Sequence, residues 1–429
     1  MSILPRIEKL KLKLNNKKKF FFFYKKLYKK IKFFDKKILS FICLNKNLNF
    51  KKNKNLPLQN IPISIKDLIH LKGTICTSGS LVFKNRISLV SATIVNRLIN
   101  AGSQIIGKNN LVEFAYGSWG TNNFFGTPVN PRDKKLKRVC GGSSSGSAAA
   151  VASGFVSASI GTDTLGSIRV PAAYCGIYGL KTSPGRIPMD GIEKLCEEFD
   201  TVGIFANYID DINKIFKVIS DNYRIRKDKN FKLLKISDNF YNNFNKKIFS
   251  QYKNFLSKLE KENFSISEIN LKKNSFYVNE CIKIVSYRGY NLLKKYIENK
   301  DYKINDDVRE RLIVGKKINY KNFLKINNIR KKHVRSFKKI IQNKLIIAPV
   351  TKTFAPPINK VDQNIIPSEY CRFVNYLDLC AITFTINSYS NSSHNLPIAL
   401  QVIAKKGNEE ICIEFVKKLI SKKIIIQNF

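Results

Sequence analysis

Two serines stand in a stretch unlike the rest of this chain. Residues 140–186 run C-G-G-S-S-S-G-S-A-A-A, then V-A-S-G-F-V-S-A-S-I-G-T-D-T-L-G-S-I-R-V-P-A-A, then Y-C-G-I-Y-G-L-K-T-S-P-G-R. Lys and Asn thin out here and small residues take over, as they do where backbone must approach a neighbour closely or turn sharply. Ser143 and Ser167, each with glycine beside it, are the first candidates for chemistry. A serine hydroxyl is a poor nucleophile until a base takes its proton. The usual base is histidine, but the three histidines, His70, His333 and His394, lie in uninformative contexts. The G-x-S-x-G elbow of serine hydrolases is absent around Ser167, which reads T-L-G-S-I-R. The Gly142 to Gly146 run lacks the lysine that a phosphate-binding loop requires. A Gly/Ser run that merely packs a helix on a sheet stays open as a reading. The remaining chemical option is a lysine base. Lys66 ends a short apolar segment, where burial lowers an amine's pKa towards neutrality. A neutral amine accepts a proton from serine, and a second serine bridging the gap gives a Ser–Ser–Lys relay.

Several elements must deliver these groups. In residues 56–70, L-P-L-Q-N-I-P-I-S-I-K-D-L-I-H, two prolines punctuate a β-type run over 61–65 that carries Lys66 and Asp67 at its end. A helix is expected from about Ala92, with Ile94, Val95, Leu98 and Ile99 as its apolar stripe and Gly102 as its stop. A strand over 104–107 follows. Residues 111–131 begin as a short helix and become a Gly/Asn-rich loop that holds the single tryptophan, Trp119. An Ala-rich helix begins near Ser143, a sharp turn lies at Gly166, and 209–219 read as a helix. Residues 225–345 are Lys/Asn/Phe-rich, mostly helical by period, and carry no chemistry. Residues 346–350 and 396–403 read as buried strands, and 409–420 as a terminal helix. Core strands from both ends of the chain predict one large α/β domain over 56–429. Residues 1–55 read as a Lys-rich helical extension whose apolar face is Leu27, Ile31, Phe34, Ile38 and Phe41. That helix either packs on the main body or serves as a partner- or RNA-facing arm.

The chain has 429 residues, 44% of them apolar, which is enough for a substantial core. Lys plus Arg number 76 against 31 acids, a formal charge of +45. Such a field attracts polyanions such as tRNA. The lysines are spread along the chain, though, and rise together with Asn, Ile and Phe, as AT-rich coding would produce. Nine scattered cysteines form no C-x-x-C pair, which points to a reduced compartment without structural metal. The aromatic run at 20–24 is bracketed by lysines and is too short for a signal sequence or a membrane span. The expectation is a cytoplasmic protein with no membrane association.

The segments I-P-I-S-I-K-D, G-G-S-S-S-G-S-A-A-A and G-T-D-T-L-G-S-I-R-V-P-A resemble the amidase signature family. The resemblance runs on through I-N-A-G-S-Q-I-I-G-K-N-N-L-V-E-F-A-Y-G, F-G-T-P-V-N-P, Y-C-G-I-Y-G-L-K-T-S-P-G-R and L-P-I-A-L-Q-V-I. It covers about residues 57–205 and roughly the last 80, and the Lys66, Ser143 and Ser167 spacings of 77 and 24 residues fit. It implies a large mixed β-sheet core covered on both faces by α-helices, with 225–345 as a diverged helical cover. By position, Ser167 would be the nucleophile, Ser143 the bridging serine after a cis peptide, and Lys66 the base. Backbone amides of Thr164, Leu165, Gly166 and Ser167 would form the oxyanion hole, and Ser144, Asp163 and Arg169 would orient the loop. The implied reaction is amide hydrolysis through an acyl-enzyme with release of ammonia, using no cofactor or metal on this chain.

The family spans stand-alone amidases acting on small amides and glutaminase subunits of tRNA-dependent amidotransferases. The latter pass ammonia to partner subunits that use ATP to convert Glu-tRNA(Gln) to Gln-tRNA(Gln). Charge and composition favour the subunit role, with glutamine as substrate. The G-S-W-G-T-N-N-F-F-G-T-P loop and the D-V-R-E-R-L-I-V-G-K-K-I-N-Y segment look more like general amidases. Ser368 and Glu369 also replace the subunit's D-x-x-T pattern near its glutamine pocket. Ser118 and Arg311 are candidate substrate contacts, Arg311 for the glutamine carboxylate. Leu165 stands where the family usually has glycine. If that position required φ > 0, leucine would cost about 1–2 kcal/mol and distort the hole. That residue raises a further alternative, an inactive basic scaffold that binds RNA or a partner subunit.

Overall fold

The computed structural model describes residues 2–52, 55–133, 135, 137–225, 230–390 and 395–426. Its strands are β1 Phe41–Leu44, β2 Pro62–Lys66, β3 Gln104–Asn109, β4 Ala158–Asp163, β5 Tyr178–Lys181, β6 Thr201–Ala206, β7 Lys232–Ile236, β8 Ile266–Ile269, β9 Lys344–Pro349, β10 Cys380–Ser390 and β11 Asn395–Ala404. They form one sheet in the order β1-β3-β2-β4-β6-β5-β10-β11-β9-β7-β8. The sheet is mixed: β2 runs parallel to β3 and β4, whereas β4 pairs antiparallel with β6.

Side chains alternate across a strand, so a sheet covered on both faces must split neighbouring residues between two cores. That split is observed. Ile105 and Ile204 join one apolar cluster with the Thr93–Asn100, Ile209–Ile219 and Glu409–Ser421 helices. Ile106 and Phe205 join the other, with the Lys17–Ile38, Ser145–Ala152 and Arg169–Cys175 helices. This is the expected architecture of a mixed sheet with helices on both faces.

Two expectations need correction. The helix Lys17–Ile38 buries Phe20, Tyr24, Leu27, Ile31 and Ile38, whereas Phe34 is 38% exposed. Phe41 is not on this helix at all. Leu39 turns left-handed at φ 60°, and the Asp35 carboxylate accepts from the Ser40 and Phe41 amides at 2.8 and 3.2 Å. The chain thereby reverses into β1, which pairs antiparallel with β3. The N-terminal segment is thus part helix and part strand. Residues 225–345, read as mostly helical, also supply β7 and β8, which extend the sheet beyond β9 in parallel register. K-L-L-K-I is short enough to satisfy either period, so its strand character comes from pairing rather than pattern.

Close backbone approach sets the layer that carries the site. A Cβ at Gly203 on β6 would lie 2.2 Å from Ile168 Cγ1, so the glycine is what lets the 164–169 turn settle onto the sheet. Among the described residues, no helix is long and apolar enough to cross a membrane.

The N-terminal helix is expected to behave as core rather than as an appendage. Phe20→Ala should destabilise the fold by about 3–5 kcal/mol. Phe22→Ala, on the exposed face, should change it by no more than about 0.5 kcal/mol. Urea denaturation of the two variants checks the contrast.

Candidate active site

Lys66 closes β2, a strand buried along its whole length. The next residue, Asp67, pairs with Lys108 at 2.9 Å, both fully buried, and accepts from the Thr77 amide at 2.9 Å. This fixes the strand end and directs the Lys66 side chain inward. Lys66 Nζ donates to Ser143 Oγ at 2.8 Å and to Thr162 Oγ1 on β4 at 3.0 Å. Burial pushes its pKa down to about 7, against the opposing influence of Asp200 and Asp163.

Ser143 follows a cis Gly142–Ser143 peptide and is fully buried. Its carbonyl accepts from the Val112 amide at 3.1 Å, and the Gly142 amide donates to the Ser118 carbonyl at 2.7 Å. The loop is thus tied on both sides before the small-residue helix Ser145–Ala152 begins.

Ser167 lies on the turn between β4 and the Arg169–Cys175 helix and lines a cavity of about 300 Å³ with Ser118, Thr164, Leu165, Arg311 and Arg372. One carboxylate organises that turn. Asp163 accepts from the Gly166 amide at 2.8 Å, the Ile168 amide at 3.1 Å, Arg169 at 3.0 and 3.1 Å, and Asn375 Nδ2 at 2.9 Å. Burial alone would raise the Asp163 pKa; the Arg169 guanidinium, with Lys181 and Asn375, outweighs it and holds the carboxyl below its ordinary range. Arg169 also donates to the Cys371 carbonyl at 2.8 Å and to Gln401 Oε1 at 3.2 Å, which binds the turn to the C-terminal part of the chain. Ser144 Oγ donates to the Thr162 carbonyl at 3.2 Å.

The positive φ in this turn belongs to Gly166, at 112°; Leu165 is not among the residues with positive φ. The strain anticipated for leucine is therefore absent, because the position that needs glycine still has it. Of the four amides expected in an oxyanion hole, that of Gly166 is committed to Asp163. Those of Thr164, Leu165 and Ser167 have no protein acceptor among the described residues.

Lys66 and Ser143 are therefore hydrogen-bonded, whereas Ser143 Oγ and Ser167 Oγ share no hydrogen bond among the described residues. Such contacts often tighten only when substrate is present. Ser118 Oγ lies 2.9 Å from Ser368 Oγ, and Arg311 Nε donates to the Asp307 carbonyl at 2.7 Å. Glu369 points elsewhere and pairs with Lys352 at 2.6 Å. His70 is held by Ser88 and Glu193, His333 contacts Tyr376, and His394 lies outside the described residues.

Sequence reasoning missed two site residues. Asp200 accepts from Thr164 Oγ1 at 2.6 Å and from the Leu195 and Cys196 amides at 2.7 and 2.8 Å. It thereby links the turn to the surroundings of Lys66. Arg372 is buried and lines the cavity. A lone aspartate before a strand, and one arginine among 76 cationic residues, leave no pattern that could have marked them.

Fold and comparison together define the class: an enzyme acting on carbon–nitrogen bonds. The chain belongs to the amidase family, whose model, described as Amidase, matches residues 43–413. It is similar to the A subunit of glutamyl-tRNA(Gln) amidotransferase from a Sulfurihydrogenibium species, 31% identical over 86% of this chain and 84% of that one. The protein of the same name from Sulfurimonas denitrificans is 29% identical over 82% and 86%. Among solved structures, the glutamyl-tRNA(Gln) amidotransferase A subunit from Thermotoga maritima superposes with a TM-score of 0.79 at 25% identity, covering 96% of this chain and 92% of that one. A crystal structure described only as an amidase superposes at 0.85 and 21% identity, covering 97% and 100%.

The Lys66 amine should titrate as an outlier. With nitrogen-15-labelled lysine, its resonance is expected to shift through an inflection near 7, cationic below and neutral above. An inflection near 10, about that of an ordinary lysine, would refute the desolvated site.

Proposed function

We propose that this chain hydrolyses the side-chain amide of glutamine and hands the ammonia to partner subunits that amidate a tRNA-bound glutamate. The observation that carries the chemistry is the buried Lys66 amine, bonded to Ser143 at 2.8 Å and held near neutrality. In this reading Ser167 Oγ attacks the amide carbon as its proton passes to Ser143, and the Ser143 proton passes to Lys66. Charge on the carbonyl oxygen is met by the backbone amides of Thr164, Leu165 and Ser167, which have no acceptor of their own among the described residues. Collapse returns the proton through Ser143 to the departing nitrogen, and ammonia leaves. Water then attacks the acyl-enzyme along the same path, giving glutamate and free Ser167.

Arg311 takes the glutamine carboxylate, and Ser118 lines the same cavity. The half-reaction assigned to this chain draws on its own side chains and backbone amides, with ATP consumed by a partner. Support for the subunit role comes from relatives matched over more than four-fifths of both chains. The charge of +45 suits a complex that handles tRNA in the cytoplasm. A stand-alone amidase is the second reading, favoured by Ser368, which is hydrogen-bonded to Ser118 where the subunit pattern would supply an acid. The scaffold reading has lost its motive, since Leu165 is not forced into the left-handed region.

Ammonia release from glutamine, asparagine and simple amides, with and without partner subunits and charged tRNA, tests the proposal. Ser167→Ala and Lys66→Ala should each lower kcat by at least about 10²–10⁴-fold. Because the active base is the neutral amine, kcat/KM should rise with pH through about 7 and then level off. Release from glutamine only in the presence of partner and tRNA establishes the subunit role. Rapid turnover of simple amides by the isolated chain establishes the stand-alone enzyme. No release from any amide overturns both.

A further inference from the structure

Several buried cations in this protein are answered by carboxylates. Arg169 faces Asp163 at 3.0 Å, Arg330 faces Asp378 at 2.9 Å, and Lys108 faces Asp67 at 2.9 Å. Arg372 is not. It is 7% exposed, Nη1 donates to the Val278 carbonyl at 3.3 Å, and Nε has no partner among the described residues. The nearest acid in sequence, Glu369, is taken by Lys352. A buried lysine escapes this situation by losing its proton, as Lys66 does; a guanidinium does not. Leaving a charge buried and unanswered is expensive, so its retention calls for an anion that arrives from outside.

The side chain lines the same cavity as Ser167. It is also held in register with the turn that carries that serine. Arg169 bonds the carbonyl of Cys371, the preceding residue, and Asn375 on the same short helix bonds Asp163. Arg311 adds a second guanidinium to the lining, and no Asp or Glu is among the described residues that line this cavity.

We propose that Arg372 is a receptor for a substrate carboxylate, and that the site selects carboxylate-bearing primary amides without recognising an α-ammonium group. Two guanidiniums attract a carboxylate and repel an ammonium, and nothing anionic on the described wall offsets that repulsion. The inference rests on the amide-hydrolase reading and narrows its substrate class. Glutamine qualifies through its carboxylate alone.

Four amides separate the groups: glutamine, glutaramate (carboxylate kept, α-amino removed), γ-aminobutyramide (amine kept, carboxylate removed) and butyramide (both removed). For the unmutated full chain, assayed with partner subunits and charged tRNA wherever turnover requires them, glutaramate should match glutamine in kcat/KM to within about threefold, and γ-aminobutyramide should fall at least about 100-fold below both. Arg372→Met should raise KM for glutaramate about 30-fold while kcat changes little, and the preference for glutaramate over neutral butyramide should collapse by the same factor. A binding measurement runs independently of turnover: calorimetry of glutaramate with Ser167→Ala protein, against Ser167→Ala/Arg372→Met. Loss of binding in the double variant supports the receptor even if no amide is hydrolysed, in which case the function proposed above falls by itself. Hydrolysis with KM indifferent to Arg372 overturns the receptor and leaves that function standing. Measurable hydrolysis of γ-aminobutyramide at a rate equal to that of glutaramate also overturns it, and requires no variant to fold.

Discussion

An amine that cannot be hydrated sets the terms for this site. Lys66 ends a fully buried strand, and its Nζ reaches two hydroxyls, those of Ser143 and Thr162. Keeping a full charge there would leave it poorly solvated, so the pKa falls to about 7. A group that would be an inert cation on the surface becomes able to take a proton at neutral pH. The fold supplies what this requires: a sheet deep enough to bury a strand end, and an ion pair between Asp67 and Lys108 that locks the backbone just past the lysine.

A second constraint holds the other half of the site. Asp163 binds two amides of the turn carrying Ser167, and Arg169 and Asn375 close around the same carboxylate. Through Arg169 the turn also reaches Cys371 and Gln401, more than two hundred residues further along the chain. The cavity wall, including Arg372, is therefore built on the same knot as Ser167. The charges of Asp163 and Arg169 inside this knot compensate each other, whereas Arg372 on the cavity wall has no carboxylate partner among the described residues.

Much of this was legible in the sequence where residue type and spacing act locally. The run ending in Lys66, the helix over 209–219 and the small-residue stretch around Ser143 and Ser167 each follow from period or from the demands of close packing. What stayed hidden depends on partners far away in the chain. β7 and β8 look like fragments of Lys-rich helix until β9 offers them an edge. Phe41 continues a helical pattern until Asp35 caps the reversal into β1. Asp200 and Arg372 carry no motif, and only burial and the lack or presence of a partner single them out. Leu165 shows the opposite error, since a substitution at a glycine position implies strain only if that position has positive φ, and the backbone places that demand on Gly166 instead.

The central claim is that Ser167 is the nucleophile, activated through Ser143 by neutral Lys66. Covalent labelling with phenylmethanesulfonyl fluoride, followed by peptide mapping, addresses it most directly. The expected result is a single adduct on the peptide containing Ser167, forming faster as pH rises through about 7 and abolished by Lys66→Ala. An adduct on Ser143, or labelling indifferent to Lys66, would contradict it.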